Sequence, residues 1–312
     1  MKGLFLSVGA MKAGTTFLYN ALQQHPGLYF TPEKEIHFLA HLYGFEPGMT
    51  NPLFSNAAGR SWCGMWPEKI LTSEYRIFRL GQVIKNRYCN VSDPDRLREI
   101  VRWYSEKYLP GEVDIAWCHN IFTGCGQDQW ACEFSNYNAV LSQSGAEFAR
   151  SYFPAVKVLF MLRHPVARIW SHIKFDLQFN GKEVSSSSLP ASEIMDYAAT
   201  GHFSAYSRYG DIVEHLQSSF GEENVMVICM ENFLSDFWST MKQLENFLEV
   251  DHFSYQVDLG RKANPSKGVE LDAAIAGFLR DQALVQVDKL RALGINLPSH
   301  YYETHVERGN LK

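Results

Sequence analysis

The chain has 312 residues, 46% hydrophobic, 14% aromatic and 20% charged, which is enough apolar material for a large core and too much for a disordered chain. Lys and Arg number 29 against 34 Asp and Glu, and the net charge of −5 argues against a general polyanion binder while leaving room for a local basic pocket. Six cysteines without a C-x-x-C pair argue against a zinc site, and no run of 18 apolar residues exists to span a membrane.

Residues 3–9 form a nearly continuous apolar run, as expected of a strand buried on both faces. Following Met1 and Lys2, the run imitates a short signal peptide; it ends at Lys12 and leads into helical spacing, so it reads as a strand. A turn at 10–14 precedes a helix marked by Phe17, Leu18, Ala21 and Leu22, which His25, Pro26 and Gly27 stop. Residues 28–30 read as a second short strand running into 31–38. Residues 44–90, rich in Gly, Pro, Asn and aromatics, read as irregular, with lids and acceptor contacts. Ser92 and Asp93 cap a helix with Pro94 in its first turn and a stripe of Leu97, Ile100, Val101, Tyr104 and Tyr108. The clearest buried strand is AVKVLFML at 155–162, followed by a helix from near Pro165 through Ile169, Trp170 and Ile173. Beyond a loop at 180–190 come a helix near 203–219, a strand at 224–230 and a helix near 236–249. A basic loop at 260–268 precedes a last long helix. Strands alternating with helices predict a three-layer, P-loop-like α/β domain with a central, mainly parallel sheet flanked by helices. No repeat or long linker divides it, so 1–312 reads as one domain, with 44–130 as an acceptor-side insertion.

G-A-M-K-A-G-T-T at 9–16 nearly fits the phosphate-binding pattern G-x-x-x-x-G-K-[ST]. Thr15 stands where that pattern has lysine, and the nearest lysine is Lys12. Amides at a helix N-terminus still suit an anion, with the Thr15 and Thr16 hydroxyls as further donors. Taken alone, the segment also suits an ordinary turn. Arg163 lies just past a buried strand, where open α/β sheets bind ligands, and Ser171 follows about two turns into the next helix. Arginine and a hydroxyl can share a phosphate, although a sheet-edge arginine and a helix-face serine have the same spacing.

Together, K-A-G-T-T at 12–16 and L-R-H-P-V-A-R-I-W-S at 162–171 resemble the two signature motifs of the PAPS-dependent sulfotransferases. In that family the first binds the 5′-phosphosulfate and the second the 3′-phosphate of the donor, 3′-phosphoadenosine 5′-phosphosulfate (PAPS). K-E-I-H-F at 34–38 resembles a segment of the carbohydrate, heparan-type branch, and 203–231 and 237–248 resemble the family's later helix, strand and helix. The resemblance implies that Lys12 meets the bridging oxygen and the transferring sulfuryl group. It implies that Ala13, Gly14, Thr15 and Thr16 cradle the 5′-phosphate, and that Arg163 and Ser171 hold the 3′-phosphate. G-R-K-A-N-P at 260–265 is similar to the family's late basic loop, which adds Arg261 and Lys262 as nucleotide contacts; a solvated basic turn is the other reading.

Sulfuryl transfer needs a proton taken from the acceptor hydroxyl as it attacks in line, and positive charge where the leaving phosphate develops. The resemblance assigns Glu35 as the base and His37 as a positioning or polarising group. An extended backbone would turn Glu33, Glu35 and His37 to one face and Ile36 and Phe38 to the core. One departure is C-E-F-S-N-Y at 132–137, in the place of the family's E-K-T-P segment. Phe134 stands there where heparan-type enzymes have a second lysine, which leaves Lys12 as the main cation.

Eight basic residues between 76 and 107 (Arg76, Arg79, Lys85, Arg87, Arg96, Arg98, Arg102, Lys107) suit an acidic glycan or, equally, a solvated helical face. Trp62, Trp66, Tyr75, Trp103, Tyr104, Trp117 and Trp130 can stack on sugars or fill a core. A carbohydrate hydroxyl is the expected acceptor, with a lipid, phenol or carrier-bound hydroxyl left open. No metal and no nucleic-acid partner are expected. The competing reading is a P-loop-type ATP or GTP phosphotransferase, which calls for G-K-[ST] and a strand-end Asp for Mg²⁺. A catalytically silent nucleotide-binding module is a third. With no export signal visible, the cytoplasm is the expected compartment and reduced thiols the expected cysteine state.

Overall fold

Leu4, Phe5 and Leu6 are completely buried in strand β1 (Gly3–Ser7), as a short uninterrupted apolar run requires. The computed structural model describes residues 1–45, 71–88, 94–179, 191–199, 206–260 and 271–301. In it β1 is the centre of a five-stranded sheet with β2 (Leu28–Phe30), β3 (Trp130–Phe134), β4 (Val156–Leu162) and β5 (Val225–Cys229). The order is β2–β3–β1–β4–β5 and every pairing is parallel. The chain leaves β1 towards β2 and leaves β4 towards β5. The carboxyl ends of β1 and β4 therefore border a topological switch point, where open sheets of this kind bind ligands.

Helices fill the crossovers. Between β1 and β2 lies α1 (Thr15–Leu22), and between β2 and β3 lie α2 (Phe38–Tyr43), α3 (Ser73–Tyr88), α4 (Pro94–Trp103) and α5 (Ile115–Ile121). A π-helical turn, Tyr104–Tyr108, extends α4. After β3 comes α6 (Gln143–Tyr152), and between β4 and β5 come α7 (Pro165–Phe179), α8 (Ala191–Ala198) and α9 (Tyr209–Phe220). After β5 come α10 (Met230–Ser235), α11 (Phe237–Leu248) and α12 (Ala273–Ala292). The four predicted strands and the helices after 14, 93, 164, 208, 236 and 272 are all present.

Two expectations between β2 and β4 need correction. Residues 44–90 are not irregular throughout, because α3 runs for 16 residues. Its pattern is inverted: Arg76 is buried and donates to the carbonyls of Tyr108 and Gly111 at 2.8 and 2.9 Å, while Ile77 and Phe78 are exposed. Of the basic residues after 76, Arg79 pairs with the buried Glu33, while Arg98 and Arg102 form exposed helical pairs with Asp95 and Glu106. Trp103, Tyr104, Trp117 and Trp130 are buried in the main core and offer no sugar platform; Trp62, Trp66 and the predicted caps Ser92 and Asp93 lie outside the described residues.

The main core surrounds the sheet, and a second cluster joins Val166, Ile169, Trp170 and Ile173 of α7 to Ile194 of α8 and to Ile275 and Leu279 of α12. Lys289 fastens α12 to α9 through Asp211 and Glu214 at 2.7 and 2.5 Å. Cys118, Cys125, Cys132 and Cys229 are free thiols. Among the described residues no helix is long and apolar enough to cross a membrane.

β1 begins where it does because Gly3 admits a close approach: a Cβ there would stand 2.4 Å from the Ala155 carbonyl oxygen and 2.6 Å from the Trp130 ring. Gly3→Ala is expected to destabilise the protein by about 1–3 kcal/mol, the usual range for overpacking. A urea midpoint equal to the wild type would refute that fit.

Candidate active site

The loop from Val8 to Gly14 is stitched to β4 beyond the end of β1. Val8 donates to Leu159 at 3.0 Å, Ala10 donates to Met161 at 2.7 Å and Met161 donates back to Gly9 at 2.7 Å. Lys12 and Gly14 have positive φ (69° and 86°), which reverses the chain into α1. Glycine suits the second position doubly, since a Cβ would also meet Met230 at 3.4 Å. Gly14 caps α1 without a side-chain hydrogen bond, and the first amides of a helix have no acceptor within it. Thr15 and Thr16 open the helix there, with Ala13 fully buried beneath. Backbone and hydroxyl donors thus converge on one anion-receptive turn.

β4 delivers the second motif to the same place. Arg163 Nη1 donates to the Lys12 carbonyl at 3.2 Å, and the Lys12 ammonium lies over the Phe175 ring of α7, 4.3 Å from its centre. Ser171 sits one turn before Phe175 on that helix and is buried. The turn into α7 is braced on both sides: the Tyr209 hydroxyl donates to the Arg163 carbonyl at 3.1 Å, and the His164 amide donates to Glu231 at 2.9 Å. Lys174, also buried on α7, is an unpredicted cation here. Burial, and then the charge of Arg163, hold its pKa below the usual lysine value.

The third element is the loop between β2 and α2. It is not extended: Glu35 and His37 both take left-handed φ values, 65° and 61°. Each such residue costs on the order of 1–3 kcal/mol unless its surroundings hold it. The expected alternation therefore fails, and Glu33 goes into the core instead of joining the other two. Its carboxylate is buried against Arg79 Nε at 3.0 Å and the Tyr104 hydroxyl. Burial raises its pKa, against the pull of Arg79 and Tyr104.

Glu35 and His37 nevertheless meet, with His37 Nε2 3.9 Å from Glu35 Oε2. The Glu35 side chain is 40% exposed, open enough to meet a substrate. Its Oε1 accepts from Lys34 Nζ at 2.8 Å and Asn136 Nδ2 at 3.3 Å. Burial pushes the carboxyl up, but Lys34, His37 and Arg79 together outweigh it and hold the pKa below the ordinary value. Burial takes the His37 imidazole down to about 4 against the opposing charge of Glu35, so the ring is neutral at pH 7. That ring packs on Tyr137 at 4.6 Å, and its Nδ1 is buried with no hydrogen-bond partner among the described residues.

The residues that hold this loop were not singled out from sequence. Glu133, Ser135 and Asn136 lie at and just beyond the end of β3, within the C-E-F-S-N-Y segment whose Phe134 drew notice only for replacing a lysine. Phe134 itself packs in the core against Phe5, Tyr19 and Phe30. Asn136 links the two halves of the site: its amide reaches Glu35, and its carbonyl oxygen is 3.7 Å from where a Cβ on Gly9 would stand. Arg261 and Lys262 lie outside the described residues.

A five-stranded parallel sheet flanked by helices, with a glycine turn after its central strand and an arginine after the neighbouring one, defines a P-loop-like α/β fold. The sequence profile of the sulfotransferase family matches residues 5–254, and the chain belongs to that family. Among solved structures, a sulfotransferase from Alicyclobacillus acidocaldarius is similar over 97% of this chain and 100% of its own, with 22% identity and a TM-score of 0.58. The sulfotransferase domain of the Synechococcus PCC 7002 olefin synthase follows over 96% and 98%, with 16% identity and a TM-score of 0.50. A sulfotransferase domain from the curacin biosynthetic pathway has 15% identity and a TM-score of 0.49 over 96% and 99%. At these identities the likeness is one of fold. No curated protein sequence matches the chain.

Because the folded pKa of His37 lies below its usual 6.5, the residue adds stability above pH 6.5 that is lost as pH falls through about 4. His37→Gln is expected to flatten the loss of stability between those limits. Urea midpoints of wild type and variant at pH 7 and 4.5 measure this; a constant difference between the two would contradict it.

Proposed function

We propose that this sulfotransferase moves the sulfuryl group of PAPS to a carbohydrate hydroxyl, with Glu35 as base and Lys12 as the cation for the leaving phosphate. The observation that carries this reading is Asn136, whose amide nitrogen donates to the Glu35 carboxylate while its amide oxygen lies 3.7 Å from where a Cβ on Gly9, in the anion-receptive loop, would stand. The donor's 5′ end fits Lys12, Ala13, Gly14, Thr15 and Thr16, where helix amides and hydroxyls offer donors without a side-chain cap in the way. Its 3′-phosphate fits Arg163 and Ser171, with Lys174 close enough to Arg163 for their charges to interact. Arg261 and Lys262 are assigned to the nucleotide by family resemblance alone. When bound, PAPS supplies the sulfuryl group and an adenosine bisphosphate leaving group.

Glu35 is the stronger candidate for the proton. Lys34 and Asn136 occupy Oε1, which leaves Oε2, beside His37, to receive it. His37, neutral and buried, is suited to orient the acceptor hydroxyl rather than to carry charge. The sugar class of the acceptor rests on the K-E-I-H-F segment. The whole chain acts as one catalytic unit in this reading, with 44–130 on the acceptor side. Its free thiols suit a reducing compartment such as the cytoplasm.

Binding is tested first, by calorimetry with adenosine 3′,5′-bisphosphate and with ATP, both in EDTA. The bisphosphate is expected to bind without metal, and Arg163→Ala to weaken it about 10- to 100-fold, the loss of a charged hydrogen-bond set. ATP preferred only with Mg²⁺ would instead favour the phosphotransferase reading.

For turnover, Lys12→Ala is expected to lower kcat by about 10²–10³-fold, like removal of one transition-state donor. Glu35→Gln is expected to lower it by about 10²–10⁴-fold with bisphosphate affinity kept. Sulfuryl transfer at the wild-type rate in either variant would remove that residue from the mechanism.

A further inference from the structure

We infer that Glu133 is a positioning residue for the Glu35–His37 pair, its carboxylate clamping the backbone of the loop in the left-handed turn that brings the imidazole to the base. The inference rests on the assignment of Glu35 and His37 as the acceptor-side pair.

Glu133 is an acid in a strand whose five residues are all buried, and it is itself 1% exposed. Among the described residues no ion pair reaches it. Its partners are hydrogen-bond donors: Oε1 accepts from the His37 amide at 3.0 Å and from the Ser135 hydroxyl, and Oε2 from Asn138 Nδ2 at 2.5 Å. The Ser135 oxygen accepts from the same His37 amide at 3.0 Å. A buried carboxylate without a counterion is costly, and a neutral side chain would serve packing alone better. What the charge adds is a strong acceptor aimed at the backbone N–H of a strained residue. His37 has φ 61° and begins α2 with no side-chain cap, so this hydrogen bond fixes where its ring points.

The groups facing Glu133 are Lys34, Glu35 and His37 on the loop, and Cys118 on α5. Burial raises its pKa to about 7; the hydrogen bonds from Ser135 and the His37 amide oppose this, the Glu35 charge adds to it and Lys34 opposes. Below that pH a proton on Oε1 would compete with the His37 amide and the Ser135 hydroxyl for that oxygen, so the clamp is expected at full strength only above it. The His37 ring is therefore expected to report two events: its own protonation near 4 and a response to Glu133 near 7.

The full chain labelled with ¹³C-histidine tests this, with the His37 resonance followed by NMR from pH 4 to 9. Wild type is expected to show a second inflection near pH 7, absent from Glu133→Gln. Affinity for adenosine 3′,5′-bisphosphate should stay within about twofold in that variant, while hydrolysis of PAPS, in which water replaces the acceptor hydroxyl and sulfate and the bisphosphate are released, falls about 100-fold, as for a misplaced reacting group. Ser135→Ala gives an independent check should Glu133→Gln not fold. Loss of a hydrogen bond that lowers the Glu133 pKa should move the inflection to higher pH. No wild-type inflection near 7, an inflection indifferent to Ser135→Ala, or unchanged sulfate release in Glu133→Gln overturns the inference. The NMR readout needs no donor, so a chain that failed to bind the bisphosphate would sink the proposed function and leave this test standing.

Discussion

The hydrogen-bond ladder between β1 and β4 does not stop where β1 stops. Ala10 and Gly9 continue it against Met161, each at 2.7 Å, so a loop with three positive-φ residues is held by sheet geometry rather than by side chains. Everything at the switch point follows from that. The ladder holds the loop against β4, where the Lys12 carbonyl accepts from Arg163, and α7, which starts three residues past β4, carries Ser171 and Phe175, whose ring lies under the Lys12 ammonium. Two motifs about 150 residues apart in sequence come together at one edge of the sheet, where we place the phosphates of the donor, because two neighbouring parallel strands end side by side.

The loop proposed to face the acceptor is held differently. It has no strand to continue, and its two key residues adopt backbone conformations that non-glycine residues avoid. Side chains from the end of β3 do the holding, through hydrogen bonds to Glu35 and to the His37 amide. One half of the site is thus fixed by ladder hydrogen bonds, which tolerate sequence change, and the other by particular polar residues, which do not.

That difference explains what could be read without a structure. Four of the five strands, several crossover helices and the phosphate motifs are local signals, since an apolar run, a glycine turn and helical spacing each lie within about ten residues; β3 (Trp130–Phe134) was not among the strands read from sequence. The Glu35–His37 pairing was legible only through its motif. The geometric reason offered for it, an extended segment, is wrong, because Glu33 turns inward to Arg79. Glu133 and Asn136 gave no signal, for their partners lie 96 and 101 positions away and a single acid in an apolar strand has no period. Helix α3 escaped for a related reason: it buries an arginine and exposes Ile77 and Phe78, the reverse of the pattern by which amphipathic helices are recognised.

The Glu33–Arg79–Tyr104 contact has a consequence for engineering. The helical insertion looks like a cassette, a segment that could be exchanged between relatives to change the acceptor while the nucleotide-binding scaffold stays in place. It is not detachable on those terms, because Arg79 of α3 and the Tyr104 hydroxyl complete the surroundings of a carboxylate two residues before Glu35. A graft without an equivalent cation would strand that carboxylate in the interior, a defect that typically costs about 3–5 kcal/mol. The strain would fall on the loop carrying Glu35, the base in our proposal. A successful chimera has to bring Arg79 and Tyr104 with it, or replace Glu33 with a neutral residue in the same step.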